Sequence, residues 1–271
     1  MNPTVFLNHF YLTLDSATYR AIRDSDWLQS VLAPFEQRTT RRNDTTYSGI
    51  YYYGRNTYFE FFEEGSEMGK VPGASGVAFG VESAGGAAQF KSVLPDQQIL
   101  TRKTETGEPA WFHSAAPAGS ARADRFRTWL MEYHGDFLKQ WYPELAPANA
   151  NPLRRRNVLD RYVAKIGKSA QRSDYLLKDV TSIELALDFP TRQRLLTMLS
   201  AFQYQVSGSG QLTVATGPEV RLLITSASNS QFGIRRVTLS LQRSVEGEIR
   251  QRFGRSEIIV TPRGEALWTL Q

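Results

Sequence analysis

The chain has no cysteine, only three histidines and no long apolar run, and each shortage removes a class of function. Without cysteine there are no disulfides, no thiolate metal sites and no cysteine nucleophile. No apolar stretch reaches the roughly 18 residues a membrane helix needs. The N-terminus alternates polar and apolar residues and lacks a basic segment leading into an apolar core, so no signal peptide is visible and a soluble, cytoplasmic protein is expected. A serine hydrolase would have to recruit one of the three histidines without any local signature, and no nucleophile elbow is present. The glycine clusters Gly85-Gly86 and Ser207-Gly208-Ser209-Gly210 match no phosphate loop, and the second reads as a hairpin tip.

Charge is mixed. The 32 basic residues are interleaved with 27 acidic ones, and the one dense run is Arg154-Arg155-Arg156. The net charge of +5 reads as a solvated basic face, so nucleic acid is not an expected partner. With 271 residues, 41% hydrophobic and 12% aromatic, the chain can bury a real core. It is long for one domain, which points to two domains or to repetition of a smaller module.

The first unit reads β-α-β-β-β. In Val5 to Leu14, a period of two places Leu7, His9, Tyr11 and Thr13 on one face and Phe6, Phe10, Leu12 and Leu14 on the more apolar other. Asp15 and Ser16 can cap a helix carrying Tyr19, Ile22, Leu28, Val31 and Leu32, with a break at Asp24-Ser25-Asp26. Strands follow at Phe35 to Arg42, Tyr47 to Tyr53 and Thr57 to Glu63, the last two joined by a Gly54-Arg55-Asn56 turn. After a small-residue linker at 65–75 the order restarts: Gly76 to Val81, a helix Ala87 to Leu94, then strands near Gln98 to Lys103, Ala110 to Ala115 and Thr128 to His134. Residues 1–140 are thus expected to hold paired modules, 1–64 and 76–140.

Pro143, Pro147 and Pro152 mark a boundary, and 141–180 is expected as a proline-rich and basic helical linker. Residues 181–271 read as a third β-α-β-β-β-like domain: Ser182 to Phe189, a helix capped by Thr191, then Gln211 to Thr216, Val220 to Ser226 and Ile234 to Leu241, with two short strands after it. Here Glu184 aligns with His9, and Glu60 falls near Ser240 or Gln242. The fold class is α+β, built from curved mixed-sheet cups.

His9 on the first strand and Glu60 on the fourth are the sort of ligand pair a hard or borderline divalent metal takes. With Phe59, Phe61 and Phe62 around it, Glu60 needs a metal, a cation or a proton, and protonated it could serve as a general acid or base. The bland readings are a hydrogen-bonded pocket histidine and a surface Glu132–His134 pair at a strand end.

In module order and ligand placement the two N-terminal units resemble the vicinal oxygen chelate superfamily, the group of glyoxalases, bleomycin-resistance proteins and extradiol dioxygenases, as a divergent branch. The resemblance implies that paired modules curl into a cup whose ligands come from the first and last strands of each module. It assigns His9, Glu60 and Glu132 to a metal, one of Fe, Mn, Ni, Zn or Mg, acting as a Lewis acid on a small oxygenated molecule. The second module's first strand has Gly76 where a fourth ligand is expected, which leaves three protein ligands and open positions.

Within that cup, Glu60, His134 and Tyr11 are the candidate catalytic residues. His134 is open to three roles: partner to Glu132, substitute ligand or proton carrier. Tyr11, Tyr52, Trp111 and His113 are the candidate pocket wall. The alternative is a metal-free cup that sequesters an aromatic metabolite, as bleomycin-resistance relatives do. On either reading the chain is a monomer or homodimer that need not dimerise to complete its cup.

Overall fold

The computed structural model describes residues 2–121, 123–140, 151, 153–168, 173–208, 211–227 and 231–270. Pro143, Pro147, Pro152 and Gly210 lie outside the described residues. Strand β1 (Val5–Leu14) leads into α1 (Ser16–Arg23), a π-turn at Leu28–Leu32, and strands β2 (Phe35–Arg41), β3 (Thr46–Tyr53) and β4 (Tyr58–Glu63). The Asp15 carboxylate accepts the Thr18 amide at 3.0 Å and so caps α1, as expected. The second unit runs β5 (Ser75–Val81), β6 (Asp96–Thr101), β7 (Ala110–Ala116) and β8 (Phe126–Tyr133). Its expected helix is one 3-10 turn, Ala87–Phe90.

These eight strands form one sheet in the order β2-β3-β4-β1-β5-β8-β7-β6. Strand β1 pairs in parallel with β4 and antiparallel with β5, so the two modules lie side by side. The sheet curls until its ends meet, where Arg42 bridges Arg102 and the Lys103 amide donates to the Arg41 carbonyl at 2.9 Å. One chain therefore builds the whole cup.

Helix α2 (Gly135–Gln140) follows β8 at the end of the second unit, and the segment read as a linker carries α3 (Arg155–Lys165). Helix α3 belongs to the packed structure: Val158, Leu159, Tyr162 and Val163 are buried in the cluster on the cup side, and Tyr162 stacks on Tyr53 at 5.7 Å. Buried Arg155 donates to the Leu7 carbonyl, Glu82 and Glu219.

The C-terminal part is β9 (Leu177–Leu187), α4 (Phe189–Ala201), β10 (Gln205–Ser207), β11 (Leu212–Gly217), β12 (Val220–Ser226), β13 (Gly233–Leu241), β14 (Ile249–Phe253), β15 (Ser256–Thr261) and β16 (Glu265–Thr269). Its sheet order, β10-β11-β12-β9-β13-β16-β15-β14, repeats the first. This corrects the reading of β13 as the last strand of a third module. It pairs antiparallel with β9, as β5 does with β1, and so opens a further unit that has lost its helix. The counterpart of β4 is β12, which pairs in parallel with β9, so neither Ser240 nor Gln242 stands in the place of Glu60. The cap of α4 is Asp188, which accepts the Thr191 amide at 2.9 Å, rather than Thr191 itself.

The two curled sheets pack through their apolar faces into one core, with Phe59 and Phe61 each 5.5 Å from the Trp268 ring and Phe79 5.4 Å from Phe202. Asp179 pins the seam by accepting both the Asn56 and Thr57 amides, at 2.6 and 2.9 Å. Among the described residues no helix is long and apolar enough to cross a membrane.

Candidate functional site

A one-residue irregularity in β1 decides which side chains enter the cup. The pairing with β5 shifts register between Leu7 and His9, so Asn8 is the extra residue of a bulge. Leu7 then joins the core together with Phe10, Leu12 and Leu14. His9 and Tyr11 point into the cup. Strict alternation would have kept Leu7 on the same face as His9, and the bulge overrides it. Phe6 turns away from that core and lies under the Arg155 guanidinium, 4.2 Å from its ring centroid.

The cup holds a cavity of ≈ 210 Å³ whose wall includes His9, Tyr11, Tyr58, Glu60, Trp111 and Trp129. His9 Nδ1 donates to Asn8 Oδ1 at 2.8 Å, which directs the Nε2 lone pair toward Glu60 Oε1, 3.7 Å away. The imidazole stacks on Tyr58, with centroids 4.4 Å apart, and meets Trp129 edge-on at 5.3 Å. Burial lowers the His9 pKa to about 3 and raises that of Glu60 to about 7, the latter against the pull of Arg38, the Tyr58 hydroxyl and Arg42. Near neutral pH the pair is a neutral base beside a carboxyl group that is about to ionise. Burial also pushes the Tyr11 phenol up to about 12, opposed by a hydrogen bond from Arg127.

Of the expected site residues, His9, Glu60, Tyr11 and Trp111 come together at this cavity. Four others do not. Glu132 faces the opposite side of β8, where its carboxylate accepts the Gly85 and Ala87 amides at 2.7 and 2.9 Å and so caps the 3-10 turn. His113 pairs with Glu132 across β7 and β8 and shares its face. His134 lies past the end of β8, where its Nδ1 accepts the Asp136 amide at 3.3 Å at the start of α2. Tyr52 is on the core side, its hydroxyl donating to the Ile22 carbonyl at 2.9 Å. The physical reason is the phase of the strands: on β8 the residues that reach the cavity are Arg127, Trp129 and Met131, one position out from Glu132.

Sequence reasoning missed Asn8, Tyr58, Arg127 and Trp129. Both faces of β8 mix polar and apolar residues, so period two alone does not choose between them. Asn8 carries no signal at all, because its role depends on the bulge.

The donor set can be tested directly against a divalent ion. His9 and Glu60 are close enough to share one, given bonds of about 2.0 to 2.2 Å. Across the cavity, however, β5 offers Gly76 and Ala78 opposite Tyr11 and His9, and β8 offers Arg127, Trp129 and Met131. Among the described residues no group of three His, Cys, Asp or Glu side chains could hold a metal. The three-ligand centre of His9, Glu60 and Glu132 therefore does not fit these residues.

A family model matches residues 7–270, nearly the whole chain. The chain belongs to DUF5829. That family is described as one of unknown function. No curated protein matches this DUF5829 chain. Among solved structures it is similar to a hypothetical protein from Staphylococcus aureus, with a TM-score of 0.55 at 8% identity, over 92% of this chain and 95% of that one. It is also similar to a xylose isomerase-like TIM barrel/4-hydroxyphenylpyruvate dioxygenase fusion protein, with a TM-score of 0.42 at 11% identity, over 85% and 34% of the two chains. A mutant 4-hydroxymandelate synthase from Streptomyces coelicolor matches with a TM-score of 0.40 at 13% identity, over 85% and 65%. Of these three, the first alone exceeds 0.5, and what it shares with this DUF5829 chain is the fold.

Proposed function

We propose that this protein is a divergent member of the vicinal oxygen chelate superfamily whose first cup binds one small, flat, oxygenated molecule without a three-ligand metal centre. The superfamily reading is supported by the repeated strand order and by the antiparallel β1–β5 seam that joins two modules in one cup. The binding reading rests on one observation: the cup holds a recessed cavity walled by aromatic rings and bordered by the buried His9–Glu60 pair. Trp111 forms part of its wall and is 5% exposed. Glu60 and His9 add a buried carboxyl and an imidazole nitrogen. At ≈ 210 Å³ the cavity is below the range of about 300–1,000 Å³ that suits drug-sized ligands, so the ligand is a small metabolite.

One observation favours the metal-dependent alternative, the 3.7 Å approach of His9 to Glu60. An ion held by that pair would need its other donors from ligand or water.

Two measurements on the purified chain separate the readings. Quenching of tryptophan fluorescence by a panel of hydroxylated aromatic and enolic metabolites is expected to identify a ligand whose binding is weakened by Trp129→Ala. Elemental analysis after reloading with Fe, Mn, Ni and Zn is expected to show no stoichiometric ion, in the wild type as in His9→Ala and Glu60→Ala. Retention of about one ion per chain, lost in both variants, would replace the binding reading with the metal enzyme.

A further inference from the structure

Residues 65–73, which join β4 to β5, do more than link the two modules. With Tyr11, Ala123 and Arg127 they wall a recess of ≈ 240 Å³ that adjoins the aromatic cavity. Three side chains, Tyr11, Met68 and Arg127, line both spaces and so form the partition between them.

The partition has a fixed part and a movable part. Tyr11 is buried, closes over Gly76, meets the Phe62 ring edge-on with centroids 5.8 Å apart and takes a hydrogen bond from Arg127. Met68 is half-buried against the cluster of Tyr11, Tyr47 and Phe62, and its unbranched thioether chain can repack around an incoming group. The loop that carries it allows this. Gly65 and Gly73 near its ends have φ of +83° and +64°, a backbone region open to glycine at no steric cost. Its backbone hydrogen bonds are local, Gly65 to Gly69, Gly69 to Ser66 and Ala74 to Val71, so Met68 can turn without breaking a strand. Glu67 meanwhile holds the loop to the cup, accepting from the Thr45 hydroxyl at 3.3 Å and pairing with Lys70 at 2.7 Å.

The two spaces differ in chemistry. The aromatic cavity has the imidazole and carboxyl of His9 and Glu60 in its wall. Beyond the partition, the second recess is lined by Val71, Ala74 and Ala123, with the Lys70–Glu67 ion pair at its wall. Such a lining favours an alkyl group, by roughly threefold to fourfold in affinity for each CH₂ buried. Arg127 faces both spaces and puts a hydrogen-bond donor at their junction.

We propose that the two recesses are one bipartite site: the aromatic cavity takes the flat oxygenated head of the ligand and the second recess takes a short alkyl arm, with Met68 turning aside to let the arm pass. The ligand class is an oxygenated ring carrying an alkyl chain, with a polar link such as an ester or ketone oxygen beside Arg127. This rests on the reading of the aromatic cavity as a ligand site and extends it. United, the two spaces reach the range of about 300–1,000 Å³ usual for ligand pockets, which neither reaches alone.

The test is calorimetric titration of the full chain with methyl and butyl 4-hydroxybenzoate, two probes that share a head and a polar link and differ in the arm. The butyl ester is expected to bind at least about tenfold more tightly than the methyl ester, at one molecule per chain. Met68→Ala, which removes the movable part of the partition, is expected to raise that ratio by about threefold or more. Val71→Trp, which fills the second recess, is expected to bring it down to about threefold or less. Both substitutions lie on a surface loop, and melting curves close to that of the wild type are expected for each. Methyl ester binding with a ratio near one, or a ratio unaltered in either variant, would overturn the bipartite site and leave the aromatic cavity as a ligand site. Failure of the wild type to bind either ester would overturn both.

Discussion

Tyr11 occupies the space that a side chain at Gly76 would need. A Cβ built on Gly76 would lie 2.5 Å from Tyr11 Cε1, 2.7 Å from the Arg127 carbonyl oxygen and 3.2 Å from the Trp129 ring. The position expected to offer a fourth ligand is thus a glycine because two aromatic rings and a backbone close over it. Gly76→Ala is expected to cost roughly 1–3 kcal/mol through overpacking, measured by urea unfolding. Gly247→Ala, where a Cβ meets nothing within 4 Å, is the control and should change stability by about 0.5 kcal/mol or less. Equal effects at the two positions would show that Gly76 is not sterically required.

Glu132 holds the turn at Ala87 and does not reach the cup. Its replacement by alanine removes an acceptor from two backbone amides and is expected to cost about 1 kcal/mol, in line with the loss of a helix cap. Binding in the aromatic cavity should be unchanged. A variant that keeps its stability and loses cavity binding would return Glu132 to the functional site.

The His9–Glu60 pair makes a prediction about pH for the ligand-free protein. Glu60 is raised from 4.5 to about 7 by burial, so its contribution to stability is complete below pH 4.5 and is lost as pH rises through 7. His9 is lowered from 6.5 to about 3, so its contribution is complete above pH 6.5 and is lost as pH falls toward 3. Between about pH 5 and 6.5 the two slopes oppose each other. Over that window, relative to wild type, Glu60→Gln is expected to gain roughly 2 kcal/mol in unfolding free energy as pH rises and His9→Gln to lose roughly 2 kcal/mol. Parallel pH profiles for all three proteins would show that neither group titrates as its burial requires.

Much of the architecture was readable because it depends on local pattern. Thr46–Tyr53 and Tyr58–Glu63 flank a Gly54-Arg55-Asn56 turn, and Asp15 precedes a helix it can cap, so both elements were expected where they occur. The second module was harder. Its helix shrank to a single turn at Ala87–Phe90, whose start is held by an acid from β8, a contact between residues about 45 apart in sequence. The last unit was misread for a similar reason. The strand pattern of Gly233–Leu241 is the same whether it closes one module or opens the next, and its antiparallel pairing with β9, where a closing strand pairs in parallel, distinguishes the two.

The candidate site divides along the same line. His9, Tyr11 and Glu60 were identifiable because each is a polar or amphipathic residue on a strand of strongly apolar neighbours, where burial makes it conspicuous. Glu132 looked equally suitable and was not, since a one-residue difference in phase sends a strand side chain to the opposite face.

The sequence by itself determined the elements of the first module, the repetition of that module, the absence of thiol chemistry and the presence of a histidine and a carboxylate on neighbouring strands. Tertiary structure alone decided what those residues meet. The bulge at Asn8 aims His9 at Glu60, the phase of β8 puts Trp129 where a third ligand would stand, and closure of the sheet brings Arg41 to Lys103. Each depends on register between strands far apart in the chain, which is fixed by packing of both faces at once and is not encoded in any local window.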